Sequence, residues 1–242
     1  MTTESRSPGT HGKGAHGRQE FKQGGQVRAA MSRVPTLMPL GDAAMLIRFD
    51  DSLSDEANKA VIALSRLLDL DTPEGVLEVA PGLVSVLLRL APTADRSRVR
   101  GEVMLRLGAA SDEQMEAHHE IDVDFCGEDI GDVAASLNVT SEQFVSAHNE
   151  NPLRVLATGF APGFVYCGFH DRHMVVPRRE HVRPMVPPGT VLFAAGQTAI
   201  ASTPIRTGWH VIGTTTFRNF DPGCVPPTVL SPGDRIRFRV AR

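Results

Sequence analysis

Four polar side chains in the C-terminal half of the chain could polarise or protonate a reacting group. Arg178 and Arg179 are adjacent cations, and a guanidinium matches the geometry of a carboxylate or phosphate. Gln197 can both donate and accept hydrogen bonds, and His210 can exchange a proton near neutral pH. We predict these four as catalytic candidates. The alternatives are a solvated strand-end charge for one arginine, a buried Gln197 that satisfies loop backbone, and a surface or subunit-interface role for His210.

Aromatic and small residues close to these side chains predict a binding groove. Three aromatic residues alternate along one strand, and a Pro-Gly pair interrupts that strand. Trp209 precedes His210, and adjacent strand residues face opposite ways, so the two should not both face a cavity. Core filling is the alternative for the aromatic residues. We predict substrate binding by Phe160, Pro162, Gly163, Phe164, Tyr166 and Trp209.

Neither a metal nor a nucleic acid is predicted to bind. His170 and His173 have an H-x-x-H spacing, but no third ligand such as Glu or Cys is nearby, so we predict no metal site. The chain has no G-x-x-x-x-G-K-[ST] loop for a nucleotide. Its 25 basic and 28 acidic residues give a net charge of -3, without the broad basic face that binds nucleic acid.

The composition predicts a cytoplasmic protein with real hydrophobic cores. Hydrophobic residues make up 41% of the 242 residues, which suffices to build such cores. The three cysteines are far apart and odd in number, so no disulfide framework is indicated. No apolar run approaches the roughly 20 residues of a membrane helix, and the N-terminus lacks the apolar core of a signal peptide.

Periodicity divides the chain into four segments. Residues 1–33 lack periodicity and predict a disordered extension. Residues 34–126 predict a ferredoxin-like α/β domain in the order β-α-β-β-α-β, with Ser54 capping the first helix. Its predicted elements are a strand at 44–49, a helix at 54–70, strands at 75–80 and 83–90 around Pro81-Gly82, a helix at 95–107 and a strand at 120–125.

The second half is predicted to be a helical connector followed by an antiparallel β-barrel. The connector, residues 127–152, has helices at 129–137 and 140–148, and the second begins with a capping box formed by Thr140 and Gln143. From residue 153 to 242, short strands alternate with Gly/Pro turns, which is typical of a closed or half-closed barrel. The last strand, 235–240, is predicted to close it.

Several ordered motifs resemble the family of the 5-oxoprolinase B subunit. This family is also known as allophanate hydrolase subunit 1 or the sporulation-kinase-inhibitor type, and related sequence forms part of the carboxyltransferase domain (subdomains C and D) of urea carboxylase. The resemblance covers roughly residues 37–240. Its motifs are GFAPGFVY at 159–166, PRR at 177–179, VPPG at 186–189, GQT at 196–198, GW at 208–209, IG at 212–213 and FDP at 220–222.

The resemblance implies an α+β fold in which a small N-terminal α/β domain precedes a cyclophilin-like antiparallel β-barrel. It further implies a partner, the homologous C subunit (allophanate hydrolase subunit 2 type), acting together with an A subunit. Such a complex cleaves the lactam of 5-oxoproline to glutamate with hydrolysis of ATP, or cleaves a related amide, and ATP is the implied cofactor. Some relatives instead bind and inhibit a histidine kinase, which makes a non-enzymatic binding protein the alternative.

Several positions depart from the pattern of this family, among them four in the presumed pocket. Met185 and Thr214 stand where basic residues are usual, and Ala199 and Ala201 stand where Gly and Tyr are usual. The loss of a Tyr and of two basic groups removes donors that a carboxylate or phosphate would need, so the alternative of a binding protein stays open.

Overall fold

A computed structural model describes residues 34–109 and 116–241 of the chain. These residues form short strands and four helices. The predicted extension at 1–33 lies outside these residues and stays a prediction. In chain order the elements are β1 Thr36–Leu40, β2 Ala44–Arg48, α1 Asp55–Leu70, β3 Val76–Pro81, β4 Ser85–Leu90, α2 Arg96–Ala109, β5 His118–Val123, α3 Ile130–Ser136, α4 Ser141–His148, β6 Leu153–Thr158, β7 Val165–Gly168, β8 Arg183–Val186, β9 Thr190–Ala194, β10 Gln197–Ile200, β11 Ile205–Thr207, β12 His210–Thr214 and β13 Arg235–Val240.

A four-stranded antiparallel sheet in the order β1-β2-β4-β3 forms the N-terminal half. The predicted helix α1 begins where expected, because the Ser54 hydroxyl accepts a hydrogen bond from the Ala57 N–H at 3.2 Å. Its apolar stripe buries Val61 and Leu64 in one core with Ile47 of the sheet. The predicted β3–β4 hairpin and the helix α2 are confirmed as well.

Strand β5 is not part of this sheet, although the β-α-β-β-α-β interpretation placed it there. It runs parallel to β13, with partners from His118 opposite Arg235 to Val123 opposite Val240. This register buries Ile121 and Val123 in the second core of the protein. Burial of the apolar face of β5 therefore explains its place in the second sheet.

The second sheet has seven strands in the order β12-β9-β10-β7-β6-β13-β5, and it curls until its edges meet. Asp124 and Thr214, at the ends of the two edge strands, exchange backbone hydrogen bonds of 2.9 Å. The prediction that the last strand closes the barrel was wrong, because β13 pairs with β6 on one side and β5 on the other. The mixed content and the curled sheet confirm the α+β fold class.

The two faces of the curled sheet pack against different partners. Helices α3 and α4 cover one face, where Phe144 of α4 packs edge to face on Phe193 of β9. Helix α4 starts at the predicted capping box: the Thr140 hydroxyl accepts from the Gln143 N–H at 3.2 Å, and the Gln143 side chain accepts from the Thr140 N–H at 2.9 Å. The two-stranded ribbon β8–β11 contributes Val186 to the core on the other face.

Asn58 joins the two sheets through α1. Its side-chain amide donates to the Leu83 carbonyl at 3.0 Å and to the Leu156 carbonyl of β6 at 2.9 Å. Its side-chain oxygen accepts from Arg154 at 3.2 Å. The predicted domain limits at residues 126 and 152 stay predictions. Within the described residues, no helix combines the length and apolar character needed to cross a membrane.

Candidate functional site

Four aromatic side chains form a continuous row on the face of the sheet that also packs against the ribbon. The rings of Phe160 and Phe164 have centroids 5.4 Å apart, those of Phe164 and Tyr166 4.8 Å, and those of Tyr166 and Trp209 6.0 Å. All three pairs are edge to face, an arrangement that aromatic quadrupoles favour. We name these four residues the aromatic row; all four were predicted as substrate-binding residues. Phe164 and Trp209 are 3% and 5% exposed and belong to a core cluster, as the core-filling alternative predicts.

Arg178 lies over Trp209, the ring at one end of the aromatic row. Its guanidinium carbon lies 5.7 Å from the centroid of the Trp209 ring, within cation–π distance. Burial raises the pKa of Tyr166, and the charge of Arg178 opposes that rise, so the cation also influences the tyrosine. In the described part of the chain, no acidic side chain forms an ion pair with Arg178, which is exposed. Its guanidinium is therefore free to bind an anion.

The other end of the aromatic row is an exposed ring on a turn with left-handed backbone. Phe160 is 74% exposed and has a φ of +72°. A non-glycine residue in this region costs about 1–3 kcal/mol and persists only where its surroundings hold it. Pro162, predicted with it, is exposed in the same loop. An exposed ring on a strained turn is typical of a binding site rather than of core filling.

Gly163 holds this turn in place. Its carbonyl accepts from the Ser202 hydroxyl at 2.7 Å and from the Asn219 side-chain amide at 3.1 Å. Its φ is +68°, and a β-carbon at this position would lie 2.4 Å from the β-carbon of Phe220. Only glycine fits both the conformation and the space, so Gly163 supports the turn and presents no side chain of its own.

Two of the predicted catalytic candidates lie beside the aromatic row rather than in it. Arg179 forms an ion pair with the buried carboxylate of Asp129. His210 donates from Nε2 to the Pro177 carbonyl at 2.9 Å, while its Nδ1 is buried without a partner among the described residues. The structure therefore gives Arg179 and His210 anchoring contacts, and it makes Arg178 the available cation.

Gln197 lies on the same sheet face as the aromatic row. It is 5% exposed and pairs with Ala194, which shares a core cluster with Trp209. Among the described residues, its side-chain nitrogen has no hydrogen-bond partner. The predicted alternative was a buried glutamine that forms hydrogen bonds with the backbone of a loop, and the side-chain nitrogen forms no such bond among the described residues. A catalytic role for Gln197 stays a prediction.

A cluster of two histidines and a threonine behind the sheet was missed at the sequence level. His148 and His170 each place Nε2 2.8 Å from the Thr198 hydroxyl oxygen, and Asn149 accepts from the other ring nitrogen of His148 at 2.7 Å. Burial lowers the pKa of His148 to about 4 and that of His170 to about 3, with the charge of His148 adding to the second shift. Both rings are therefore neutral near pH 7. The sequence did contain one indication of this cluster: Phe144 and His148 have the i, i+4 spacing that places two side chains on the same face of a helix.

The cluster borders a small cavity of about 30 Å³, lined in part by Phe169, His173 and Met174. That space holds about one or two water molecules. No group of three or more His, Cys, Asp or Glu side chains suited to a metal occurs in residues 34–109 and 116–241. The H-x-x-H pair is separated, because His170 faces Thr198 while His173 is exposed.

Comparison with known proteins gives this fold a family context. The sequence profile of the carboxyltransferase domain, subdomain C and D, matches residues 35–230. The 5-oxoprolinase B subunit of Escherichia coli O157:H7 is 30% identical over 206 residues, which cover 82% of this chain and 93% of that protein.

Solved structures share the architecture. The crystal structure of TTHA0988 superposes with a TM-score of 0.72 at 34% identity; the match covers 82% of this chain but only 40% of the TTHA0988 chain. The urea carboxylase of Kluyveromyces lactis has a TM-score of 0.65 at 12% identity, covering 86% of this chain and 22% of that enzyme. The second likeness concerns the fold alone.

Proposed function

This chain belongs to the family of the carboxyltransferase domain, subdomain C and D, and we propose that it is the B-type subunit of a 5-oxoprolinase-type complex. The name of its Escherichia coli relative supports membership in a complex of several subunits. In the proposed reaction, the complex cleaves the lactam C–N bond of 5-oxoproline or a related amide. Water adds a hydroxyl to the carbonyl carbon and a proton to the nitrogen, and ATP hydrolysis drives the step.

One observation carries the substrate side of this proposal: the exposed guanidinium of Arg178 over Trp209, without an acidic partner in the described residues. A small cyclic amide with a carboxylate presents apolar ring CH2 groups, a polar amide and an anion. The accessible rings of the aromatic row, Phe160 and the half-buried Tyr166, can pack against the CH2 groups, and a guanidinium can bind the carboxylate through two parallel hydrogen bonds. We therefore assign substrate positioning to the aromatic row and carboxylate binding to Arg178.

The chemical step requires charge stabilisation at the lactam oxygen, by hydrogen-bond donors or by transfer of a phosphoryl group. In this proposal Gln197 supplies an unpartnered amide donor on the same sheet face, although it is buried. ATP and the remaining catalytic groups are assigned to the partners, which are the homologous C subunit and the A subunit. This division follows from the family resemblance and from the few polar groups in the aromatic row.

A protein-binding function is the second candidate, and one observation favours it. Met185 is 59% exposed on β8 and Phe160 is 74% exposed, so two large apolar side chains face solvent. Exposed apolar side chains mark a protein contact where they form one continuous patch, which this alternative requires of Met185 and Phe160. In this alternative the chain binds a partner such as a histidine kinase and performs no turnover.

The two candidates separate in one experiment. This chain is co-expressed with the homologous C and A subunits, and the purified assembly is assayed for ATP hydrolysis that depends on 5-oxoproline and for release of glutamate. Substrate-dependent turnover that requires this chain supports the enzyme complex. Stable association without turnover favours the binding protein, and the absence of any association with the C subunit contradicts the proposed complex.

A further inference from the structure

Asp129 is a buried carboxylate that binds two arginines of one segment. The segment is residues 177–186, which we name the strap; it runs beside Trp209 and includes β8. One carboxylate oxygen of Asp129 accepts from Arg179 and, at 2.6 Å, from Arg183. The other oxygen accepts from the Val211 N–H at 2.7 Å, and Asp129 is 2% exposed. Both oxygens are therefore used to join the strap to β12.

The same strap carries Arg178, and its backbone is tied on both sides of that residue. These ties go to the two residues that flank Trp209 in the sequence. The hydrogen bonds are His210 Nε2 to the Pro177 carbonyl, at 2.9 Å, and the Arg179 N–H to the Gly208 carbonyl, at 2.7 Å. These two hydrogen bonds hold the strap backbone on either side of the contact between Arg178 and Trp209. The side chain of the next residue, Arg179, then binds Asp129.

Asp129 supplies charged attachments of the strap, beside the two bonds above and the pairing of β8 with β11. Charge-assisted hydrogen bonds are about twice as strong as neutral ones, and Asp129 makes two of them within the protein. Glu128 adds a third at the surface, 2.7 Å from Arg183. Loss of the Asp129 charge would leave two guanidiniums that are mostly covered by protein without their main partner, a costly arrangement that favours movement of the strap.

We propose that Asp129 is a positioning residue that holds Arg178 over Trp209. It acts through the strap and does not itself touch the substrate. The assignment rests on the proposed function of Arg178 as the carboxylate-binding group. The position of Arg178 in the free chain, however, can be measured whether or not that function is correct.

Trp209 reports this position directly, because it is the only tryptophan of the chain. Quenching of its fluorescence by acrylamide, a neutral probe, measures how well the ring is covered. We expect Arg178→Ala and Asp129→Asn each to raise the quenching constant about twofold, and the double variant to show no further increase, because both changes remove the same cover. Asp132→Asn, an exposed carboxylate in helix α3, which begins directly after Asp129, should match the wild type.

Several outcomes overturn the proposal. Wild-type quenching in a folded Asp129→Asn chain means that Asp129 does not position Arg178, and additive effects in the double variant mean that the two act separately. If Asp129→Asn fails to fold by circular dichroism, Arg183→Gln removes the ion pairs of Arg183 with Asp129 and Glu128 and keeps the Asp129 carboxylate. Its quenching constant should then lie between those of the wild type and Arg178→Ala, and a wild-type value contradicts the proposal.

The assembled complex distinguishes failure of this inference from failure of the proposed function. If Arg178 binds the substrate carboxylate, Arg178→Ala and Asp129→Asn should both raise KM for 5-oxoproline, with a smaller change in kcat. Quenching that responds to Asp129→Asn without any change in KM would support the positioning of Arg178 and contradict its role in substrate binding. Wild-type quenching in Asp129→Asn together with a raised KM in Arg178→Ala would contradict the positioning role of Asp129 and leave the binding role of Arg178 standing.

Discussion

His148 and His170 approach the same hydroxyl from two elements: each Nε2 lies 2.8 Å from Thr198 Oγ1, and the two ring centroids are 4.8 Å apart. Asn149 accepts from His148 Nδ1, so His148 Nε2 accepts the Thr198 proton and His170 Nε2 donates to the Thr198 oxygen. This chain of hydrogen bonds needs His148 in its neutral form, because its Nε2 must accept, and burial keeps the pKa of both rings below the usual value.

Folding stability should therefore fall as the pH drops below 6.5. Both histidines have an ordinary pKa of 6.5, which the fold lowers to about 4 for His148 and about 3 for His170. Between these values the unfolded chain binds protons that the folded chain does not, so protonation favours unfolding. From pH 7 to pH 5 we expect a loss on the order of 2 kcal/mol per histidine in the free energy of unfolding, measured by urea titration.

Variants near the cluster test the source of that slope. His170→Gln should remove about half of the pH dependence, because one of the two titrating groups is gone. His173→Gln, an exposed histidine three residues away, should retain it. A free energy of unfolding that stays level between pH 7 and pH 5 in the wild type would contradict the buried neutral pair.

Asn58→Ala should destabilise the chain by about 2–4 kcal/mol, because it removes the donor to the buried Leu156 carbonyl and to the part-buried Leu83 carbonyl. It also removes one of the two acceptors of Arg154, which keeps its ion pair with Asp55. Urea unfolding measures the change. Glu56→Gln, at an exposed position of the same helix, should stay within about 0.5 kcal/mol of the wild type. Equal stability of the two variants would mean that Asn58 does not join the sheets.

Gly163→Ala should destabilise the fold by about 1–3 kcal/mol or more, since its φ is +68° and the new methyl group would overlap Phe220. Gly131→Ala is the matched control. Gly131 lies in α3 with nothing within 4 Å of the place that a methyl group would take, and alanine favours a helix by up to about 1 kcal/mol. Thermal unfolding of both variants provides the comparison, and a stable Gly163→Ala chain would show that the turn at Phe160 is not held this tightly.

Local signals predicted the elements well. Ser54 caps α1, and Thr140 with Gln143 forms the capping box of α4, because caps depend on residues only three positions apart. The hairpin around Pro81-Gly82 and the alternation of Phe164 and Tyr166 are equally local. These patterns extend over a few residues, which is the range that a sequence displays directly.

Pairing and side-chain partners could not be predicted in the same way. Strand β5 shows an alternating pattern that suits either sheet, and its partner β13 lies more than 100 residues later. Arg178 and Arg179 are indistinguishable by type, and their environments differ through two distant residues: Trp209 beneath Arg178 and the buried Asp129 beside Arg179. His170 and His173 suggested a spacing for a metal, while the true partner of His170 is the distant Thr198.

The most direct test of the account is the KM for 5-oxoproline in the assembled complex with wild-type chain, Arg178→Ala and Arg237→Ala. Arg237 is an exposed strand arginine outside the aromatic row and serves as the matched control. Loss of a charge-assisted carboxylate contact should raise KM roughly tenfold or more for Arg178→Ala, equivalent to about 1.5–3 kcal/mol, and leave the control unchanged. A wild-type KM and kcat with Arg178→Ala would contradict substrate binding at the aromatic row.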